Sequence, residues 1–111
     1  MVQGSRVSED RPIACSLSAG ELSQRLEEIA AVGASSLIDQ REEGGRQLLR
    51  FRGDAETHRR LRAIVAAEAE CCPFLELALE TQGGELVLTV AAGAAGREAA
   101  EALAHAFLSR R

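Results

Sequence analysis

Apolar positions recur along the chain with two periods, and the change from one to the other marks its elements. Behind Pro12, residues Ile13, Cys15 and Leu17 alternate with Ala14 and Ser16 as a short strand does, with Cys15 on the face of its apolar neighbours. From Ser18 the spacing lengthens. Leu22, Leu26, Ile29 and Val32 mark one helical side, Ser18 and Glu21 have the spacing of a capping box, and Gly33 is expected to end the helix. The runs SLIDQRE and RQLLRFR flank Glu43, Gly44 and Gly45, where glycine supplies the positive φ of a tight hairpin, so the two are expected to pair antiparallel.

Asp54 is positioned to cap a second helix. At 100° per residue its stripe gathers Leu61, Ile64, Val65, Glu68 and Cys72 within about 60°, with Cys71 at the edge. Pro73 cannot continue a helix and restricts the residue before it, so this one should stop at the cysteine pair. Leu75, Leu77 and Leu79 then alternate with Glu76, Ala78 and Glu80, and after Gly83 and Gly84 the residues Leu86, Leu88 and Val90 alternate with Val87 and Thr89. A final helix puts Ala99, Leu103, Ala106 and Phe107 on one side, and Arg110 and Arg111 suit its C-terminal dipole. The predicted order is βαββαββα, an α+β fold with a mostly antiparallel sheet of about five strands and the helices packed on one face.

Residues 1–11 are polar and aperiodic and read as a flexible leader, leaving 12–111 as a single domain, long enough to bury a core without metal or disulfide support. With 13 basic and 17 acidic residues the net charge is -4, which gives no general reason to bind nucleic acid. His58, Arg59, Arg60 and Arg62 do cluster, but among Asp54, Glu56, Glu68 and Glu70, as on a solvated helix face. Three phenylalanines and no Trp or Tyr make a base-stacking platform or aromatic cage unexpected. No apolar run resembles a signal peptide or membrane span, so a cytoplasmic protein is expected. In a reducing compartment its three cysteines are expected to be buried, metal-binding or redox-active thiols.

The candidate chemistry lies in Cys15, Glu68, Cys71 and Cys72. Glu68 shares the core-facing stripe, where an ionised carboxylate costs several kcal/mol unless a cation or strong donor meets it. Its three- and four-residue spacings stack it beside both thiols of the pair. Cys15 on a neighbouring strand is placed to add a third sulfur. Such a set suits Hg(II), Cu(I), Cd(II), Pb(II) or As(III), and suits a closed tetrahedral Zn(II) site less well.

Other readings stay open. Free cysteine is a common core residue. A vicinal disulfide of Cys71 and Cys72 would be strained and reducible, as in a redox switch. An activated thiol is disfavoured by the negative end of a helix dipole and favoured beside a cation. His58 lies about 20 Å of helix away from Cys72, and His105 falls opposite Leu103, so neither is a partner base. The glycine pairs match no phosphate-binding loop and read as hairpin turns.

The stretch PIACSLSAGEL, the helix end AEAECCPFLEL, the glycine turn and the strand ELVLTV together resemble a bacterial domain marked by I-A-C-[ST]-L and E-x-x-C-C-P-F, over roughly residues 12–108. Members resembling it occur alone or behind MerR-type metal-responsive regulator domains, in association with heavy-metal genes. Cys15 falls on the first motif, and Glu68, Cys71, Cys72, Pro73 and Phe74 on the second. The resemblance implies a site more than an activity, with association to a metal-responsive regulator as one expected partnership. The leading expectation is a soft-metal or metalloid binding protein that senses, buffers or transfers the ion, with Cys15, Cys71 and Cys72 as ligands and Glu68 as an auxiliary ligand or acceptor behind them. The alternatives are a thiol-dependent enzyme, redox or metal–carbon cleaving, with Cys72 reacting and Glu68 moving a proton, and a non-catalytic interaction module with core cysteines. Open strand edges suit a homodimer.

Overall fold

The computed structural model describes residues 19–72, 74–93 and 96–109. Within them the order is α1 (Ala19–Ser36), β1 (Leu37–Glu43), β2 (Arg46–Arg52), α2 (Ala55–Cys71), β3 (Leu75–Gln82), β4 (Glu85–Ala92) and α3 (Arg97–Leu108). The described strands form one antiparallel sheet in the order β1-β2-β4-β3. This is the expected α+β arrangement. The strand expected at residues 13–17, the cap Ser18, the Leu22 side chain, Pro73 and the pair Arg110 and Arg111 lie outside the described residues.

Each hairpin closes through two glycines in the left-handed region, Gly44 and Gly45 at φ 58 and 83° and Gly83 and Gly84 at 56 and 82°. Two successive positive φ values match the right-handed twist of the flanking strands, and only glycine adopts them without penalty. The second hairpin is in register over its full length, from Leu75 opposite Ala92 to Gln82 opposite Glu85. The first slips once, between Leu37 and Asp39. Alternation then sorts the side chains: Leu49, Phe51, Leu86, Leu88, Val90 and Leu75 point into one core with Ile29, Val32, Leu61, Ile64 and Phe107 from the three helices. Phe51 and Phe107 meet edge to face at 5.3 Å between ring centres.

Two expectations for α1 are corrected. Gly33 does not end the helix, which runs on to Ser36. A Cβ at Gly33 would stand 1.7 Å from the Phe107 carbonyl oxygen, so glycine is required there for close approach of α3. Leu26 is not on the buried side, being 45% exposed, whereas Ile29 and Val32 are fully buried. The inward stripe is therefore 25, 29, 32 and 36, rotated from the one that the leucines suggest. In α2 the outcome follows the sequence. Asp54 Oδ1 accepts from the Thr57 N–H at 2.8 Å, Leu61, Ile64 and Glu68 are buried, and the helix closes with the Cys72 N–H donating to the Glu68 carbonyl at 2.8 Å.

Candidate functional site

α2 ends where two thiols follow one another, and the rotation of about 100° between them separates their environments. Cys72 is 3% exposed and belongs to the core, while Cys71 is half-buried at its margin. One turn earlier, Glu68 lies on the buried side of the same helix. Neither Cys71 nor Cys72 is disulfide-bonded, so the strained vicinal ring is not formed.

The donor that Glu68 requires comes from α1. Arg25 Nη1 donates to Glu68 Oε2 at 2.9 Å, and Nη2 of the same guanidinium donates to Cys71 Sγ at 3.3 Å. The arginine and glutamate side chains are 14% and 12% exposed. An ion pair so far out of water holds its partners only because further hydrogen bonds satisfy them, and here the sulfur takes a share of the guanidinium. Carboxylate, guanidinium and thiol thus form a chain across the α1–α2 contact, beside a cleft of about 210 Å³ whose walls include Arg25, Glu28, Arg60 and Ile64.

The sequence-based site is brought together in part. Glu68, Cys71 and Cys72 are neighbours as their spacing required, with Glu68 against Cys71 through Arg25 and Cys72 turned inward. Cys15 lies outside the described residues. Among the described residues no group of three or more His, Cys, Asp or Glu side chains is gathered as for a metal ion. The donors fit a soft ion in kind, since adjacent thiols stand with a carboxylate whose charge is already met. His105 is exposed, as expected, and His58 is exposed at the far end of α2.

Arg25 is the residue that sequence reasoning missed, and a signal for it existed. It stands four residues before Ile29 and seven before Val32, on the stripe those two define, just as Glu68 stands on the stripe of Leu61 and Ile64. Opposite charges on the inward stripes of two helices are expected to find each other. Arg25 also sets a cation beside Cys71 at the negative end of the α2 dipole. No helix among the described residues is long and apolar enough to cross a membrane. No protein-family model matches the chain, and no curated protein or solved structure matches it.

Proposed function

We propose that the chain binds a soft metal or metalloid ion through the thiolates of Cys71 and Cys72, with Cys15 as third ligand, in order to sense, buffer or pass on that ion. The observation that carries this reading is the Arg25–Glu68–Cys71 chain at the end of α2. Glu68 and Arg25 neutralise one another, so the charge brought to this poorly hydrated place is only that of the ion and its thiolates: zero for a divalent ion on Cys71 and Cys72 or a trivalent one on all three cysteines, and -1 for a divalent ion on three. Cys71 offers the reachable sulfur and Cys72 the buried one, which suits capture followed by enclosure. Glu68 acts beside the ligands, holding the guanidinium against Cys71 as outer partners of a metal site do.

Titration of the reduced full-length chain with Hg(II), Cd(II) and Zn(II), followed by thiolate-to-metal absorption, is expected to give a stoichiometric band for the soft ions. Cys71→Ser and Cys72→Ser should each diminish it, and Cys15→Ser should change its coordination number. No band, together with an unchanged melting midpoint, would remove the proposal. The Arg25 contact supports one second reading, a reacting thiol. In that case Cys71, and not Cys72 as the sequence suggested, would be the nucleophile, because it is the accessible sulfur with a cation beside it. Native alkylation would then modify Cys71 ahead of Cys72, and Arg25→Met would slow it; equal, sluggish labelling of both thiols would discard that reading.

A further inference from the structure

The three helices and the core lie on one side of the sheet. There α2 has two flanks, and α1 lies against only one of them. On that flank Ile64 and Cys71 turn toward α1, where Arg25 meets Glu68 and Cys71. On the other, Val65 and Ala66 turn toward β3 and line with Leu79 a groove of about 290 Å³, with His58 and Arg62 at its rim. Among the described residues β3 is the edge strand at this groove. Leu77 and Leu79 stand opposite Val90 and Leu88 of β4 on the core side of the sheet. Val90 and Leu88 are fully buried, whereas Leu77 and Leu79 are half-buried, so the apolar layer runs out one strand short. The other edge strand, β1, has only polar side chains from Asp39 to Glu43.

We propose that residues 12–17 of the same chain dock along the free edge of β3, antiparallel to it, with Ile13, Cys15 and Leu17 turned into the groove. Their alternation supplies three apolar side chains where the edge lacks them. They also enter at the right end of the molecule. α1 begins at Ala19 beside the close of α2 and the start of β3, since Arg25 donates to Cys71 and the Leu75 N–H donates to the Cys72 carbonyl. The six residues from Ile13 to Ala19 reach up to about 20 Å. The hand of the chain decides between the two edges. β2, α2 and β3 form a crossover between parallel strands, because β4 lies antiparallel between them. A strand that ends where α1 begins is antiparallel to β3 and parallel to β1, so strand, α1 and β1 form a second crossover. From the β3 edge it runs the opposite way across the sheet, in the opposite strand direction, and has the same hand as the first. From a place beside β1 it would have the reverse hand, which sheets almost never contain.

This docking carries the third thiol to the pair. Val65 and Leu79 share the groove, and from Val65 to Cys72 α2 advances about 10 Å, the length of about three residues of β3, which sets Cys72 level with residues 75–77. Cys15 then approaches along the Val65 side of α2, toward Cys72 and away from Arg25. As the route to a three-cysteine site this rests on the metal reading; the docking itself does not.

Nuclear magnetic resonance of the reduced, ion-free full-length chain tests it. The methyl groups of Ile13 and Leu17 are expected to show through-space contacts with those of Val65, Leu77 or Leu79. Every second amide of β3, the set pointing away from β4, should exchange at least about tenfold more slowly than in the double variant Ile13→Asp, Leu17→Asp. Ala14→Asp with Ser16→Asp, on the opposite face of the same strand, should leave that protection in place. Where the apolar double variant fails to fold, the wild-type contacts decide alone. Absent contacts, or edge amides that exchange as fast in wild type as in the variant, overturn the proposal. So does protection that appears only as concentration rises, which gives the edge to a second copy. A flat metal titration with the contacts present removes the metal reading and leaves the docking standing; a Cys15-dependent band without them does the reverse.

Discussion

Arg25 and Arg50 each spread one guanidinium over two acceptors outside their own element, and they differ in how much water reaches them. Arg25 joins α1 to Glu68 and Cys71 on α2 with its side chain 14% exposed. Arg50, on the outer face of the sheet, joins Asp39 on β1 and Glu85 on β4 with its side chain 41% exposed. By geometry alone Arg50 is the better bonded, since both its partners are carboxylates and they hold its guanidinium well above the ordinary arginine range, Asp39 first and Glu85 second. Water reverses the order of importance. An exposed pair exchanges one set of hydrogen bonds for another with little net gain. A buried one, once broken, strands a charge that has no solvent to turn to.

The largest effect should therefore follow from removing the Arg25 side chain beyond Cβ. Arg25→Ala leaves Glu68 with its buried carboxylate unmet and is expected to lower the unfolding free energy by about 3 kcal/mol in a urea titration. The double variant Arg25→Met, Glu68→Met replaces both charges by apolar groups and should recover most of that loss, because the penalty belongs to the orphaned charge more than to the lost attraction. Recovery is the sharper result. If the double variant is as unstable as the single, the two arginines do not differ in the way burial implies, and α1 is held to α2 mainly by packing.

Next in size are the thiols. Cys72→Ser puts a hydroxyl where the side chain is enclosed by core residues, and is expected to cost about 1–2 kcal/mol. Cys71→Ser, at the half-exposed margin with Arg25 ready to donate to its oxygen, should cost much less. If both act on stability alone and the metal titration is flat, the cysteines are core residues and nothing more. Arg50→Ala comes below these. In dilute protein it should shift the melting midpoint by no more than about 2 °C, and added salt should shrink even that.

How much of this was legible in the sequence depends on which interactions are local. The hairpins were, because a glycine pair between alternating runs demands its turn wherever the rest of the chain goes. The α2 stripe and its end were too, since Leu61, Ile64, Glu68 and Cys72 share one helix and Pro73 follows directly. In α1 the phase was misread by one position: Leu26 looked like core by its side chain, but the contact with α3 requires Gly33 inside the helix and turns Leu26 outward and Arg25 inward. The partner of Glu68 was hidden by the same error. Its need for a cation was readable, whereas its supplier, 43 positions earlier in the chain, was fixed only by how α1 and α2 cross.

Asp54 completes the comparison as a carboxylate whose partner is backbone rather than guanidinium. It is exposed, yet the Thr57 N–H and then the Thr57 hydroxyl hold its carboxyl below the usual aspartate range, with Arg52 adding a smaller share. A carboxylate with a folded-state pKa below its unfolded value binds fewer protons in the native chain. Its contribution is thus fully present above the unfolded value, near 4, and is lost as the pH falls through the lower folded value. Asp54→Asn keeps an oxygen that can cap the helix but removes the titration. Wild type should therefore lose melting temperature more steeply than this variant on going from neutral pH to below about 4, with the two curves converging at the acid end. Glu56, held down chiefly by Arg59, falls in the same acid range in both proteins; Asp54 raises it by the smallest of its causes, so most of its contribution drops out of the difference. Parallel curves would mean that the cap at Asp54 works by shape alone, leaving the buried pair at Arg25 as the place where charge decides the stability of α2.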